Sequence, residues 1–273
     1  MTDHKNEDHL GEILSQVAYQ MKDTMAAMYA ALQRVAPSER RDEDAALDEN
    51  AALLTRNFYR LRRLAGNLEE AAELDAPPCP VTTHDDIVGI VRAVTDRAAF
   101  AAEMLGLTLE VRCEVSSRII AVDADRVERM LLGLLSNAFK FTPRGGTVTV
   151  TVLLSGKNVE IRVQDTGCGI PDHRMEEIFE RYRYSFLPDG SPTGMGLGLP
   201  IARKIAEDHG GSLVVFSREG EGTLAVVSLP DRRSSSVGMG TKIVVDYSGG
   251  FNRTLLELSD ALPKEAFRNK MID

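Results

Sequence analysis

The sequence predicts an α+β protein in three parts: an N-terminal helical hairpin over residues 1–76, an α/β sandwich over 81–230, and a small βα extension over 231–273. Three observations predict it. Apolar residues recur every three or four positions in two early segments, the period of a one-sided helix. A proline cluster at Ala76-Pro77-Pro78-Cys79-Pro80 then interrupts the chain, because consecutive prolines exclude helix and hold the backbone extended. Beyond it, helical periods interleave with short alternating β-branched runs.

In the first helix the apolar stripe runs through Leu10, Leu14, Val17, Met21, Met25, Met28, Leu32 and Val35. Pro37-Ser38 breaks it and an acidic stretch follows. The second stripe runs through Leu47, Ala51, Leu54, Phe58, Leu61, Ala65, Leu68 and Ala72, with spacings alternating between four and three. Two such helices make an antiparallel hairpin, and a second copy covers their stripes best, as a four-helix bundle. A homodimer through this hairpin is therefore expected; the alternative is a two-helix layer packed on the following domain. In that domain, Ile87 to about Leu105 reads as a helix, Leu107–Val111 and Arg118–Val122 as strands, and Asp125 to about Phe141 as a second helix. Thr147–Leu154 and Asn158–Gln164 form a hairpin around Ser155-Gly156-Lys157. A helix from Gly198 to His209 ends at Gly210-Gly211, and strands Ser212–Ser217 and Thr223–Leu229 close the domain. The extension begins with a flexible joint at Asp231 to Ser236. It reads as a strand from Lys242 to Tyr247, a turn at Gly249-Gly250, and a capping box Thr254…Glu257 opening a short helix that stops at Pro263. It is expected to cover an edge of the sheet domain, or else to dock a partner.

With 43% hydrophobic and 27% charged residues among 273, the composition is that of a globular protein with a well-buried core. No apolar run is long enough to span a bilayer, and Met1 to Asp8 lacks the pattern of an export signal, so the expected compartment is the cytoplasm. A net charge of −9 disfavours nucleic acid as a partner. The three cysteines, Cys79, Cys113 and Cys168, are scattered and lack partnering histidines, so they read as reduced thiols.

Three short motifs carry the chemistry: Asn137-Ala138-Phe139-Lys140, Asp165-Thr166-Gly167-Cys168-Gly169 and Gly194-Met195-Gly196-Leu197-Gly198. An amide on a helix can ligate Mg²⁺, a carboxylate at a strand end can read an adenine amino group, and glycines let backbone N–H groups approach phosphates. No single piece is specific, but their order and spacing suit one nucleotide site.

The segment Asp125 to Pro143 resembles the N box of sensor histidine kinases. Asp165–Ile170 is similar to their G1 box, Ile178–Tyr182 to their F box, Gly194–Leu199 to their G2 box, and Gly222-Thr223 to Pro230 to the close of their ATPase domain. The resemblance covers about Val81 to Pro230. It implies the ATPase fold shared with gyrase and heat-shock chaperones, with ATP and Mg²⁺ as ligands and a place in two-component signalling. Carried over by motif position, Asn137 ligates Mg²⁺, Lys140 reaches toward phosphate, Phe141 packs near the base and Asp165 accepts from the adenine amino group. Gly167, Gly169, Ile170, Gly194, Gly196, Leu197, Gly198 and Thr223 complete the implied ATP site. The loop from Arg183 to Thr193 resembles the family's lid over ATP, from which Arg181 or Arg183 can approach the phosphates.

The pattern departs from the family in the first helix. Aligned by its apolar positions, Tyr19 stands where the phosphoacceptor histidine belongs and Gln20 replaces the acidic base. Tyr19 lies off the apolar stripe, so its hydroxyl is expected to be exposed. A phenol ionises only at about pH 10, and glutamine cannot take its proton, so phosphotransfer lacks both nucleophile and base. His4 and His9, near the chain start, lack the flanking pattern. Gly133 occupies the place, four residues before Asn137, where related ATPases carry a glutamate base. Pro200 suits the first turn of its helix. The expected function is an ATP-binding protein deficient in histidine autophosphorylation, acting through ATP-dependent conformation on a response regulator or another kinase. The alternatives are an active kinase with an unusual acceptor such as Tyr19, and a hydrolase of the gyrase kind.

Overall fold

The computed structural model describes residues 2–78, 81, 83–183, 194–232 and 251–269, with side chains from residue 11 onward except residue 12. The chain divides into two compact units, Met1–Ala76 with Tyr247–Asp273, and Pro77–Asp246. The Cys79-Pro80 end of the linker, the expected lid after Arg183, the strand Lys242–Tyr247 and the turn Gly249-Gly250 lie outside the described residues.

The hairpin is built from α1 (Thr2–Val35), a short α2 (Ser38–Glu43) and α3 (Ala45–Ala72). Asp44 starts α3 sharply: its carboxylate accepts from the N–H groups of Ala46 and Leu47, a cap that contributes about 1 kcal/mol. Lys22 pairs with Glu69 across the hairpin, and Gly11 lies against Ala72, which fixes the antiparallel register. Each expected stripe is split. Met25 of the α1 stripe is buried, with Ala18 beside the stripe, as are Ala51, Phe58 and Ala65 on α3. Met28 (64% exposed), Val17 and Val35 on α1 and Leu54 and Leu61 on α3 instead face outward. Two helices in contact can bury only about half of a stripe as wide as the sequence carries.

The second unit is a sheet backed by helices. The helix α4 (Ile87–Leu105) is preceded by β1 (His84–Asp86), which pairs antiparallel with β3 (Ile119–Ala121) in a two-stranded sheet. The main sheet has the order β2-β4-β5-β7-β6, formed by Thr108–Cys113, Thr147–Ser155, Asn158–Asp165, Gly222–Pro230 and Ser212–Arg218 respectively. Only β2 and β4 run parallel, and the long connection that this requires carries α5 (Ala124–Phe141). Period-two alternation puts Val148, Val150 and Val152, then Val159, Ile161 and Val163, on one face of the sheet. These side chains are buried, as are Val91, Leu131, Leu132, Leu135 and Ile205 of the helices, α6 (Gly198–Asp208) included.

Asp123 caps α5, accepting from the N–H groups of Asp125 and Arg126. Its own N–H donates to Nε2 of buried His209 at 3.0 Å, while Nδ1 of His209 stands 2.7 Å from the Ile205 carbonyl. That pairing fixes the neutral tautomer with the proton on Nδ1, and burial holds the imidazole below its ordinary range. Arg126 and Lys204 converge on Asp208 and tie the same two helices together.

The described part of the extension, α7 (Arg253–Leu258) with a 3₁₀ turn at Lys264–Phe267, corrects two expectations. It belongs to the hairpin unit and packs on α3, where it was expected to cover a sheet edge, because its buried side chains find ionic and aromatic partners there. The helix is capped by Asn252, whose side chain accepts from Leu255 N–H at 3.0 Å. Thr254 falls inside the first turn and Glu257 turns inward to Arg63, so the capping box does not form.

Candidate nucleotide site

At one end of the sheet a backbone hydrogen bond joins the Asp165 loop to the end of α5, and the glycine-rich segment that opens α6 comes beside Asn137. Asp165 is the last residue of β5, where the strand hands over to the glycine-rich loop. Its carboxylate is 8% exposed and accepts on Oδ1 from Gly167 N–H at 2.8 Å and Thr223 N–H at 3.2 Å. Burial pushes this carboxyl above its ordinary range, and the two backbone donors partly oppose that. A buried acid aimed by two fixed donors is pre-oriented to accept a further hydrogen bond.

The loop after Asp165 is anchored on both sides. Cys168 N–H donates to the Phe141 carbonyl at 3.2 Å, joining the loop to the end of α5. Gly220 N–H donates to the Cys168 carbonyl at 2.7 Å, and Ile170 N–H to Ser217 Oγ at 2.9 Å. Gly169 has φ +66, and a Cβ there would stand 2.0 Å from the Arg218 carbonyl oxygen, so only glycine fits. Cys168 is exposed, and partial burial with Asp165 and Glu219 nearby raises its thiol above the ordinary range, which makes it a poor nucleophile.

Asn137 and Lys140 lie near the C-terminal end of α5, one turn apart. The Lys140 ammonium is 5.9 Å from the Phe141 ring centroid. The glycine-rich segment that opens α6 reaches the same place: a Cβ at Gly198 would stand 3.8 Å from Nδ2 and 4.0 Å from Oδ1 of Asn137. Leu197 is buried beneath this segment and anchors it. Gly196 has φ +67 and approaches the Arg183 backbone closely, so both ends of the stretch expected to be the lid come together. Arg183 pairs with Glu180 at 2.7 Å rather than turning inward.

Three residues of the site have roles that sequence reasoning does not assign, although Thr166 and Gly222 stand within its motifs. Ser217 bonds Ile170 N–H, the Gly222 carbonyl and the Thr223 hydroxyl, and so organises the loop and its neighbouring strand. Gly222 packs against the Asp165 carbonyl, and Thr166 Oγ1 accepts from Thr147 N–H at 2.9 Å. A serine within a strand carries no motif; a glycine opening the last strand was the only available signal. The other expected residues, Tyr19 and Gln20, belong to the hairpin unit. Tyr19 is 70% exposed, as its place off the apolar stripe implied.

Comparison with known proteins agrees with this geometry. Residues 122–233 match the family described as histidine kinase-, DNA gyrase B- and HSP90-like ATPases. The chain is 34% identical over 183 residues to sensor histidine kinase TmoS of Ectopseudomonas mendocina, covering 65% of this chain and 18% of that one. Full-length ShkA in complex with AMPPNP superposes with a TM-score of 0.59 at 24% identity, over 80% of this chain and 45% of ShkA. ThkA in complex with response regulator protein TrrA gives 0.56 at 20% identity, over 84% of this chain and 64% of that one. Both structures share the fold, and the chain spans less than half the length of TmoS. The chain thus carries an ATPase domain of the histidine kinase family over residues 122–233.

Proposed function

We propose that this chain is an ATP-binding, histidine-kinase-like protein of two-component signalling that acts through nucleotide-dependent conformation and is deficient in histidine autophosphorylation. The observation that carries the nucleotide reading is Asp165. Among the described residues, both hydrogen bonds to its carboxylate fall on Oδ1, which leaves Oδ2 to accept from the adenine amino group. Phe141 packs near the base, and Gly167, Gly169, Ile170 and Thr223 hold the loop that carries it. Asn137 supplies an amide oxygen to Mg²⁺, Lys140 reaches the phosphates, and Gly194, Gly196, Leu197 and Gly198 present backbone beside them. The fit for the cation rests on the open approach between Asn137 and Gly198, where the added methyl of an alanine would only touch the amide. Bound Mg²⁺ supplies charge neutralisation for adjacent phosphate oxygens.

Phosphotransfer is disfavoured by Tyr19 and Gln20 at the acceptor position. Rapid hydrolysis is disfavoured at Gly133, which has nothing within 4 Å of where a Cβ would stand and no carboxylate to act as base. The outward-facing apolar residues support a homodimer: Met28 and Val35, and likewise Leu54 and Leu61, are two turns apart on one line of their helices. A response regulator is a natural partner, given the complex of ThkA with TrrA, and another kinase is the alternative. The proposed compartment is the cytoplasm; among the described residues no helix is long and apolar enough to cross a membrane.

Calorimetric titration of the full chain with ATP, with and without MgCl₂, tests the site. Binding is expected, strengthened by Mg²⁺ in the wild type and insensitive to it in Asn137→Ala. No binding in either condition overturns the reading. Incubation with γ-labelled ATP tests the chemistry: acid-stable label present in wild type and lost in Tyr19→Phe would replace the conformational reading with an active kinase.

A further inference from the structure

On the hairpin unit, residues 251–269 occupy a groove whose chemistry is unlike an ordinary helix seam. The Phe251 ring lies 5.4 Å from that of Tyr29, 5.1 Å from Phe58 and 5.9 Å from Tyr59, and the Arg62 guanidinium stands 4.7 Å over it. Glu257, only 3% exposed, meets Arg63 Nε at 3.1 Å, and Asp260 meets Nη1 of the same guanidinium at 2.9 Å. Phe267 packs on Tyr59 at 5.4 Å, and its carbonyl accepts from buried Arg41 at 3.0 Å. The groove therefore offers aromatic faces and buried guanidinium groups. The segment answers with an aromatic anchor, two acids and the buried leucines 255, 258 and 262.

A helix of six residues, such as α7, is not stable in water by itself, so its form depends on what it lies against. The helix α3 also runs unbroken through the groove-lining positions, and the Tyr29 and Phe58 rings, stacked at 4.4 Å, join it to α1 beneath Phe251. Burying Arg63 costs desolvation that only a carboxylate partner offsets, so a groove lined this way selects an acidic occupant over a merely apolar one. This is the arrangement of a helix-in-groove complex with the ligand tethered to its receptor.

We propose that this face of the hairpin is a receptor groove for an acidic helical segment led by an aromatic residue. The chain's own residues 251–269 fill it in cis and can be exchanged. A partner carrying an aromatic residue followed six and nine positions later by acids, as in Phe251, Glu257 and Asp260, gains the groove only by displacing them. The inference is independent of the nucleotide reading.

The test uses the full chain and a synthetic peptide of residues 251–269. In Glu257→Arg, amide exchange of residues 251–269 is expected to quicken at least tenfold while α1 and α3 keep their protection. The peptide is expected to bind this variant and not the wild type, and to lose that binding when it carries Glu257→Arg itself. Adding Arg63→Glu to the variant should restore protection of the segment and exclude the peptide. Unchanged exchange in Glu257→Arg overturns the proposal. So does loss of protection in α1 and α3 along with the segment, which would make residues 251–269 part of the hairpin's own core. Peptide binding that is absent from both proteins, or equal in both, overturns it as well.

Discussion

Replacing Asp165 by asparagine changes one atom of the proposed adenine contact and leaves the scaffold around it intact. The asparagine oxygen still accepts from Gly167 and Thr223 at the Oδ1 position, where the wild-type distances are 2.8 and 3.2 Å. The other atom becomes an NH₂ donor facing the amino donor of adenine. Loss of a charge-assisted hydrogen bond costs about 1.5–3 kcal/mol, and burying two opposed donors costs about 1–3 kcal/mol more. A combined loss of about 3 kcal/mol weakens ATP about 100-fold. Folding should respond in the opposite sense. Because the folded pKa of Asp165 is raised, the native state binds the proton more tightly than the unfolded chain, and the ionised form costs stability at neutral pH. The neutral amide removes that cost, so the melting temperature at pH 7 is expected to hold or rise. Guanine presents an oxygen where adenine has its amino group, so the variant should also shift its preference from ATP toward GTP. Calorimetric titration with both nucleotides, beside a thermal melt, reads all three quantities. ATP affinity within threefold of wild type in a folded Asp165→Asn protein would refute the assignment of the adenine contact.

Gly169→Ala is expected to weaken ATP binding at least tenfold with little change in helix content, because its Cβ meets the Arg218 carbonyl and displaces the loop; nucleotide titration with far-ultraviolet circular dichroism checks this. Thr55 is fully buried on α3, and its hydroxyl finds no partner among the described residues. Thr55→Val should therefore stabilise the hairpin by about 1 kcal/mol in a urea titration. For His209 the folded pKa lies below the ordinary 6.5, so in that window the unfolded chain binds more protons and stability rises with pH. Acidification below about pH 6.5 is thus expected to destabilise the sheet unit, and less so in His209→Gln, which keeps an acceptor without titrating; thermal melts between pH 5 and 7 compare the two. Leu54→Glu combined with Leu61→Glu should convert the proposed dimer to a monomer by light scattering, with helix content retained.

The helices and strands of the sheet unit could be read from sequence because each is written in its own period. Val148, Val150 and Val152 alternate, and the α5 positions recur at helical spacing, so burial follows from local pattern. The proposed nucleotide residues could be picked out for a different reason: Asn137, Asp165 and the Gly194–Gly198 loop sit in short contiguous motifs whose chemistry is local to each. Ser217 was not legible, since its role arises from hydrogen bonds to Ile170, Gly222 and Thr223, and no local pattern marks it. The short β1 was missed because three residues, His84–Asp86, are too few to show alternation.

The extension shows the same division most sharply. Its composition announced a short helix before Pro263, yet the expected cap, the expected packing surface and the role of Glu257 all changed once the chain was folded. By itself the sequence determined the order of most elements, the polarity of each strand face and the motifs from which the nucleotide site is proposed, because these depend on backbone propensity and on neighbours within a few positions. Only the tertiary structure decided which half of each hairpin stripe is buried, where Arg63 and Arg41 find their partners, and which oxygen of Asp165 is held. These depend on groups brought together from distant parts of the chain, where the cost of leaving a buried charge or donor unpaired selects the partner.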